Sequence, residues 1–425
     1  MKHTLSLLLA CLVSMTTFAQ ETLLHCGKII DTQNGKVLKE QTITILGNQI
    51  VSVEKGYASA KAGQSIIDLK TKTVMPGFID MHVHIEGETN PKQYLETFTK
   101  NEADIAFTAA EIAERTLLSG FTTVRDLGGS GVNVSLRNAI NSGTTRGPRI
   151  YTAEKAIGTT GGHADPTNGF KKVNMGDPGP AQGVINSVDD ARKAVRQRYK
   201  NGADLIKITA TGGVLSVSKN GDNPQFRQEE VDEIVRTAKE YGMHVAAHAH
   251  GKEGMQRAIK AGVQTIEHGS FMDEETVQLM KKHNTYLVPT LSAGKYVAAK
   301  AKVKGYYPDI IIPKIEKVDA TLKKTFTMVA KSGVNIAFGT DAGVFPHGEN
   351  AKEFRYMVDY GWSPMFSIQS ATITNGKLLD MEGKLGVLAP GYLADIIATD
   401  DDPTQNITTT ESVSFVMKDG LIYKK

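Results

Sequence analysis

Between residues 22 and 74 apolar and polar positions alternate, most plainly in TITIL and QIVSVE. A period of two places one face of a strand inward and the other in water, so LLHCGKIIDT, KEQTITILGNQIVSVEKG and SIIDLKTKTVMP predict short strands joined by turns, half-buried and antiparallel at TITIL and QIVSVE. The C-terminal stretch, ADIIATDDD followed by SVSFVMKDGLIYKK, has the same texture. Two β-rich ends around a long middle predict one small β-sandwich built from 20–74 and 386–425. From about 75 to 385 the pattern changes. Apolar runs FIDMHVH, FTTVRDL, PRIYTAEKAI, LIKITA, HVAAHAH, TIEHG, TYLVPTL and IAFGTD alternate with amphipathic stretches such as DEIVRTAKEYGM and EETVQLMKKHN. Strands alternating with helices predict a parallel sheet in an α/β fold, and eight runs are the number that closes a TIM-like (β/α)8 barrel. The lysine-rich, helical 293–325 reads as an extended crossover beside that barrel.

Residues 1–20, MKHTLSLLLACLVSMTTFAQ, depart from both patterns. A basic start, a short apolar stretch and small residues near Ala19 are the layout of a secretory signal peptide over 1–19, too short to span a membrane. The expectation is an exported protein, periplasmic or secreted, that starts near Gln20. LLAC also admits lipidation at Cys11, though ten residues leave little room for the apolar region. Without the signal Cys26 is the only cysteine, which excludes a disulfide scaffold and a thiolate zinc site. The remaining composition, 40% hydrophobic and 22% charged with a net charge of +3, is that of a globular chain with ample core. The absence of a lysine–arginine block argues against nucleic-acid or membrane partners.

The chemistry lies at the ends of the runs. His82 and His84 end the first, Asp126 the second, Lys207 the fourth, His248 and His250 the fifth, His268 the sixth and Asp341 the eighth. With 11 histidines, a His-x-His arises by chance about 0.3 times in such a chain, so the first pair is weak alone. In a barrel, however, all these ends converge on one face, and i, i+2 spacing turns His82 and His84 to the same side. Single histidines in strands are more often hydrogen-bonded core residues, and Asp341 in GTDAG suits a turn or cap; the coincidence of six strand ends outweighs those readings. His244 and His283 precede strands and are structural. Lys207 would bury an ammonium among branched apolar residues, unless it pairs with Asp126 or another acid at the mouth. Burial favours the neutral amine, which takes up CO2 to form a carbamate able to bridge two divalent metals. Imidazole, carboxylate and carbamate form a mixed N/O ligand set with zinc as the default ion, and manganese or cobalt as substitutes.

PGFIDMHVH, IKI, AAHAHG, TIEHG, FGTDAG and the closing GKLGVLAPGYLADIIATD together resemble the amidohydrolase superfamily over nearly the whole chain. The likeness is greatest to its secreted Xaa-Pro dipeptidases and carboxypeptidase-like enzymes, near imidazolonepropionase. The resemblance implies a two-metal barrel with a carboxylated lysine. His82, His84 and Asp341 would hold the more buried metal, His248 and His268 the second, with carboxylated Lys207 between them. His250 stands where relatives have an aspartate, and is assigned to substrate or to support of the ligands. In TTGGHAD, His163 falls where similar enzymes present a group to the substrate carbonyl. TGGVLS at 211–216, with 217–227, resembles a substrate-covering loop, or is a surface excursion.

The expected reaction is hydrolysis of an amide in a dipeptide or N-acyl amino acid by a metal-bridging hydroxide. Asp341 would take the proton and pass it to the leaving nitrogen. Arg227 or His163 would pair with the substrate carboxylate. A cyclic amide or imidazolone hydrolase is the alternative, disfavoured by export. An exported, non-catalytic binding protein on the same barrel is the other, and it predicts missing ligands, whereas all six are present. A homo-oligomer is compatible with every one of these readings.

Overall fold

The structure is a computed structural model that describes residues 21–425; the expected signal peptide, its cleavage site and Cys11 lie outside the described residues. Strands from the two ends share one seven-stranded sheet. Its order is Leu421–Lys424, Val413–Lys418, Ile396–Thr399, Ser65–Pro76, Glu21–Asp31, Lys36–Leu46, Gln49–Lys55. The two β-rich ends meet in this one mixed sheet. The register breaks between Cys26 and Lys28, at Gly27, where a Cβ would overlap the Lys70 carbonyl oxygen. Such a bulge bends and twists a strand. The outer strand Gln49–Lys55 then returns to the C-terminal segment, with Ile50 N–H donating to Tyr392 O (2.9 Å) and Ala394 N–H to Asn48 O (2.8 Å). Leu24, Ile43, Ile67, Leu69, Ile396 and Phe415 form the core that this folded sheet covers.

Seven of the eight apolar runs form strands, all parallel to their neighbours. Phe78–Val83, Phe121–Asp126 and Arg149–Thr152 make one sheet, and Ile206–Thr209, Val245–Ala249, Thr265–His268 and Tyr286–Val288 another. An isolated parallel bridge, Ile157 to Ile208, links them. The eighth run, IAFGTD, is extended without becoming a strand. It bridges Leu287 through Ile336, and Val83 through Ala342. Its backbone groups are partly diverted to side chains. Thr340 N–H donates to Asp80 Oδ1 (3.0 Å), and Phe338 O accepts from Asn375 Nδ2 (2.8 Å) as well as from Met81 N–H (3.0 Å).

Helices cover the parallel strands with the faces their spacing predicts. In Gln228–Glu240, Val231, Ile234, Val235 and Ala238 are buried, and in Glu102–Leu118 Ala109, Ile112, Ala113 and Leu117. These side chains join one large core with Phe121, Ile206, Ile266 and Phe338. The 293–325 region differs from its expected role. Helices Leu291–Ala301 and Ile312–Ser332 do not run idly beside the strands; Ala293, Val297, Ile315, Val318 and Leu322 line the cavity at the strands' C-terminal ends. Amphipathic spacing shows which face a helix buries, not what that face covers.

Candidate active site

A cavity of about 330 Å³ opens at the C-terminal ends of the parallel strands. His82, His84, His163, Lys207, His248, His250, His268 and Asp341 all line it. His82 Nε2 lies 3.4 Å from both Lys207 Nζ and Asp341 Oδ1, and His84 Nε2 is 3.4 Å from the same Asp341 oxygen. The ligand atoms of His82, His268 and Asp341 lie within 4.8 Å of one another. Around them the ring centroids of His248 and His268 are 4.5 Å apart, and those of His163 and His248 also 4.5 Å.

Hydrogen bonds on the far side of each ring set its tautomer. His82 Nδ1 donates to Glu267 Oε2 (2.9 Å) and His84 Nδ1 to Gly128 O (2.7 Å). His248 Nε2 donates to Gly212 O (3.1 Å). Each acceptor can only accept, so the proton sits on the outward nitrogen and the inward nitrogen carries a lone pair. His268 Nδ1 pairs with Thr290 Oγ1 at 2.7 Å. Burial pushes His82, His248 and His268 well below the usual imidazole range, with the nearby Lys207 acting in the same direction, so these rings are neutral. Acceptor therefore faces acceptor between His82 Nε2 and Asp341, an arrangement that a divalent cation stabilises. The donor set fits metal.

Lys207 is buried, and desolvation brings its amine down to about 8 against the opposing pull of Glu267 and Asp341. Of the alternative acid partners, Asp126 is engaged elsewhere, while Glu267 and Asp341 act on the Lys207 amine. Asp126 accepts from Ile85 N–H (3.0 Å), Asn133 Nδ2 (2.7 Å) and Thr152 Oγ1 (2.8 Å), so it braces strand ends outside the cavity. Burial raises the Asp341 carboxyl to about 6, with His84 and Lys207 pulling it down.

Three site residues hold left-handed backbone: His268 (φ 73°), Asp341 (φ 61°) and Thr290 (φ 50°). Non-glycine residues are strained there, by about 1–3 kcal/mol each, and such strain gathers where a side chain must be aimed. At His268 the consequence is visible. Neighbours in a strand point to opposite faces, yet Glu267 and His268 both reach the His82 ring. A tight turn over His268, closed by Gly269 N–H to Glu267 O (3.1 Å), swings the imidazole inward.

Residues 73–423 match the amidohydrolase family. The chain belongs to that family. Its solved relatives include a Xaa-Pro dipeptidase with bound methionine in the active site, 52% identical, with a TM-score of 0.93, covering 95% of this chain and all of that one. Ochratoxinase of Aspergillus niger is 30% identical over 97% of this chain and 88% of its own length. Imidazolonepropionase of Acinetobacter baumannii is 24% identical over 88% of this chain and 91% of its own. The chain is thus a hydrolase of amide or peptide bonds in small substrates, with a metal-binding His–His–Asp group.

In this amidohydrolase the remaining expected residues divide. His163 reaches the cavity with its Nδ1 enclosed and unpartnered, and burial holds the ring near 3, hence neutral. His250 also lines the cavity, its Nδ1 on Ser270 Oγ (2.8 Å) and its ring neutral, at about 4, through burial. Arg227 does not join them. It precedes the helix Gln228–Glu240, its side chain is 82% exposed, and its nearest carboxylate is Glu229 at 3.9 Å. The loop after Thr211 is more than a surface excursion, since Val214 and Leu215 line the cavity.

Two buried charges escaped the reading of strand ends. Arg125 donates to Glu267 Oε1 (2.8 Å), Met81 O (2.7 Å) and Thr265 Oγ1 (3.1 Å), so Glu267 links a buried guanidinium to His82. Opposite charges inside the apolar runs TTVRD and TIEH were the available signal. Thr209 is the third. Its Oγ1 is buried without a partner, and the residue lines the cavity two positions past Lys207.

Proposed function

We propose that this amidohydrolase cleaves the amide bond of a dipeptide or N-acyl amino acid with two divalent metals, zinc by ligand type. The observation that carries the reading is the convergence of His82, His84, Lys207, His248, His268 and Asp341 on one cavity, with lone pairs turned inward. His82, His84 and Asp341 would hold one ion and His248 and His268 the other. Lys207, carboxylated by its neutral amine adding to CO2 with release of a proton, would supply anionic oxygen ligands beside them. When bound, the metals activate a water and polarise the scissile carbonyl.

The chain's own residues do the rest. Asp341, raised to about 6, accepts a proton as the nucleophile attacks and returns it to the leaving nitrogen. His163, neutral and on the cavity wall, would present its ring to the carbonyl oxygen. The apolar wall of Val214, Leu215, Val297 and Leu322 excludes water and suits an apolar substrate side chain. Greater identity to a dipeptidase, 52%, than to imidazolonepropionase, 24%, favours an open peptide over a cyclic amide. In the same proposal the two parallel sheets and the 336–342 segment close one (β/α)8 barrel over 75–385. Export follows from the layout of residues 1–19.

Purified protein incubated with zinc and bicarbonate is assayed against dipeptide and N-acyl amino acid panels for released amino acid. Turnover abolished by chelation and restored by zinc or manganese supports the proposal. Turnover of the panel with no bound metal overturns it.

A further inference from the structure

Lys314 is the buried cation for which the reaction above has no use. It lies on helix Ile312–Ser332 with 7% exposure, and its Nζ donates to Gly213 O (3.1 Å) and Ser216 O (2.5 Å). Both acceptors are neutral, and among the described residues no carboxylate lies within ion-pair distance of it. A buried ammonium without a counter-charge is expensive, as its amine, drawn to about 8 by burial, reflects. Its field nevertheless reaches the reaction space, because it bears on both His163 and His250 on the cavity wall.

The loop tied to Lys314 is the second observation. With the Gly213 and Ser216 carbonyls turned to the ammonium, Val214 and Leu215 stand on the cavity wall. The peptide N–H groups of Val214 and Leu215, residues on the cavity wall, have no acceptor among the described residues. Successive free N–H groups with a cation behind them are a setting for an anion. The absence of a side chain at Gly213 lets the His163 ring pack against the loop, where a Cβ would overlap it. The other acid on the wall besides Asp341 is Asp319, which is exposed, where water screens its charge.

We propose that Lys314 and the Val214 and Leu215 peptide groups form the anion site that holds the substrate's free carboxylate, the role expected of Arg227. The inference rests on the hydrolase reading for the identity of the anion. The ammonium acts from behind the loop, and the N–H groups touch the carboxylate. Specificity then follows: a substrate whose carboxylate is blocked loses both.

The test is calorimetric binding of N-acetyl-L-methionine and N-acetyl-L-methioninamide to the zinc-loaded protein, made in the slowed Asp341→Asn background. The acid should bind about 10–100-fold more tightly than the amide, the range for a hydrogen bond to a charged group. Lys314→Gln keeps a donor for the loop carbonyls and removes the charge, and Lys314→Met removes both; either should bring the ratio to about one, while Lys314→Arg retains it. A ratio near one before any change at Lys314 overturns the proposal without a variant. So does a Lys314→Gln protein that weakens both ligands equally and keeps the ratio, because the lysine then only latches the loop. Absence of turnover alongside a preserved, lysine-dependent ratio would sink the hydrolase reading and leave the anion site standing.

Discussion

Replacing Glu267 by Gln separates two things that this carboxylate does. It is fully buried, with Oε1 on Arg125 Nη2 at 2.8 Å and Oε2 on His82 Nδ1 at 2.9 Å. Both partners donate, so a carboxamide can serve one with its oxygen while its NH2 opposes the other. Arg125, 2% exposed, would also lose its counter-charge. Breaking a buried pair by removing one partner costs about 3–5 kcal/mol. The double variant Arg125→Met/Glu267→Gln removes the stranded cation and lets the amide oxygen face His82. What then remains are the contacts of Arg125 with Met81 O and Thr265 Oγ1, at about 1 kcal/mol each. The double variant should therefore regain all but about 1–2 kcal/mol of stability. Metal affinity should behave differently. A neutral amide is a weaker acceptor for His82 Nδ1–H than a carboxylate, so zinc binding should fall about 10–100-fold in both variants. Denaturant midpoints of metal-free protein, and zinc affinity by chelator competition, read the two quantities. Equal stability of the single and double variants would refute the stranded-charge reasoning. Wild-type zinc affinity in the double variant would refute the role of Glu267 in orienting His82.

Lys207→Ala should lose metal and activity, and millimolar acetate or propionate should partly restore both by supplying the bridging oxygens; retention of both metals would point to an ordinary lysine. Asp341→Asn should lower kcat by about 10²–10⁴ with the fold intact by circular dichroism, and near-normal turnover would move the proton shuttle elsewhere. Thr209→Val leaves no unpaired hydroxyl on the cavity wall; stability should hold or rise while KM changes, and unaltered kinetics would exclude Thr209 from substrate contact. His347 is buried neutral, held near 3, with Nδ1 on Thr116 Oγ1 and Nε2 on His84 O, both 3.1 Å. The unfolded imidazole takes up a proton at about 6.5 and the folded one does not, so its share of stability is lost as pH falls from about 6.5 towards 3. Below about 6, His347→Gln should show a shallower loss of metal-free stability than wild type, by about 1.4 kcal/mol per pH unit; parallel profiles would contradict this.

Much of the site was legible before the structure because its residues violate local rules. His82, His84, Lys207, His248 and His268 interrupt apolar strand runs, and a polar group inside such a run needs a reason. Period-two alternation likewise marked both β-rich ends, and period 3.6 the covering helices. These are properties of neighbours along the chain, and they survive without knowledge of what packs where. Arg227 shows the limit of that reasoning. It was chosen for its charge and its place after the fourth run, and its side chain turns to solvent from a helix N-terminus.

Only the tertiary structure decided which distant groups meet. Glu267 and Arg125 are 142 residues apart, and Lys314 and Gly213 are 101 apart, yet each pair is in hydrogen-bond contact. No periodicity encodes such a pairing, because it depends on the stacking of strands and the path of the roof helices. The left-handed turn at His268 is a second case. Strand alternation would place Glu267 and His268 on opposite faces, and a φ of 73° brings both to the His82 ring. The seven-stranded sheet is a third. Hydrogen bonding between the two chain ends is a long-range choice, and the overlap that Gly27 avoids with Lys70 bends the sheet over its own core. Local sequence sets which side chains are available and which face they prefer; the energy of enclosing them against remote partners sets what they touch.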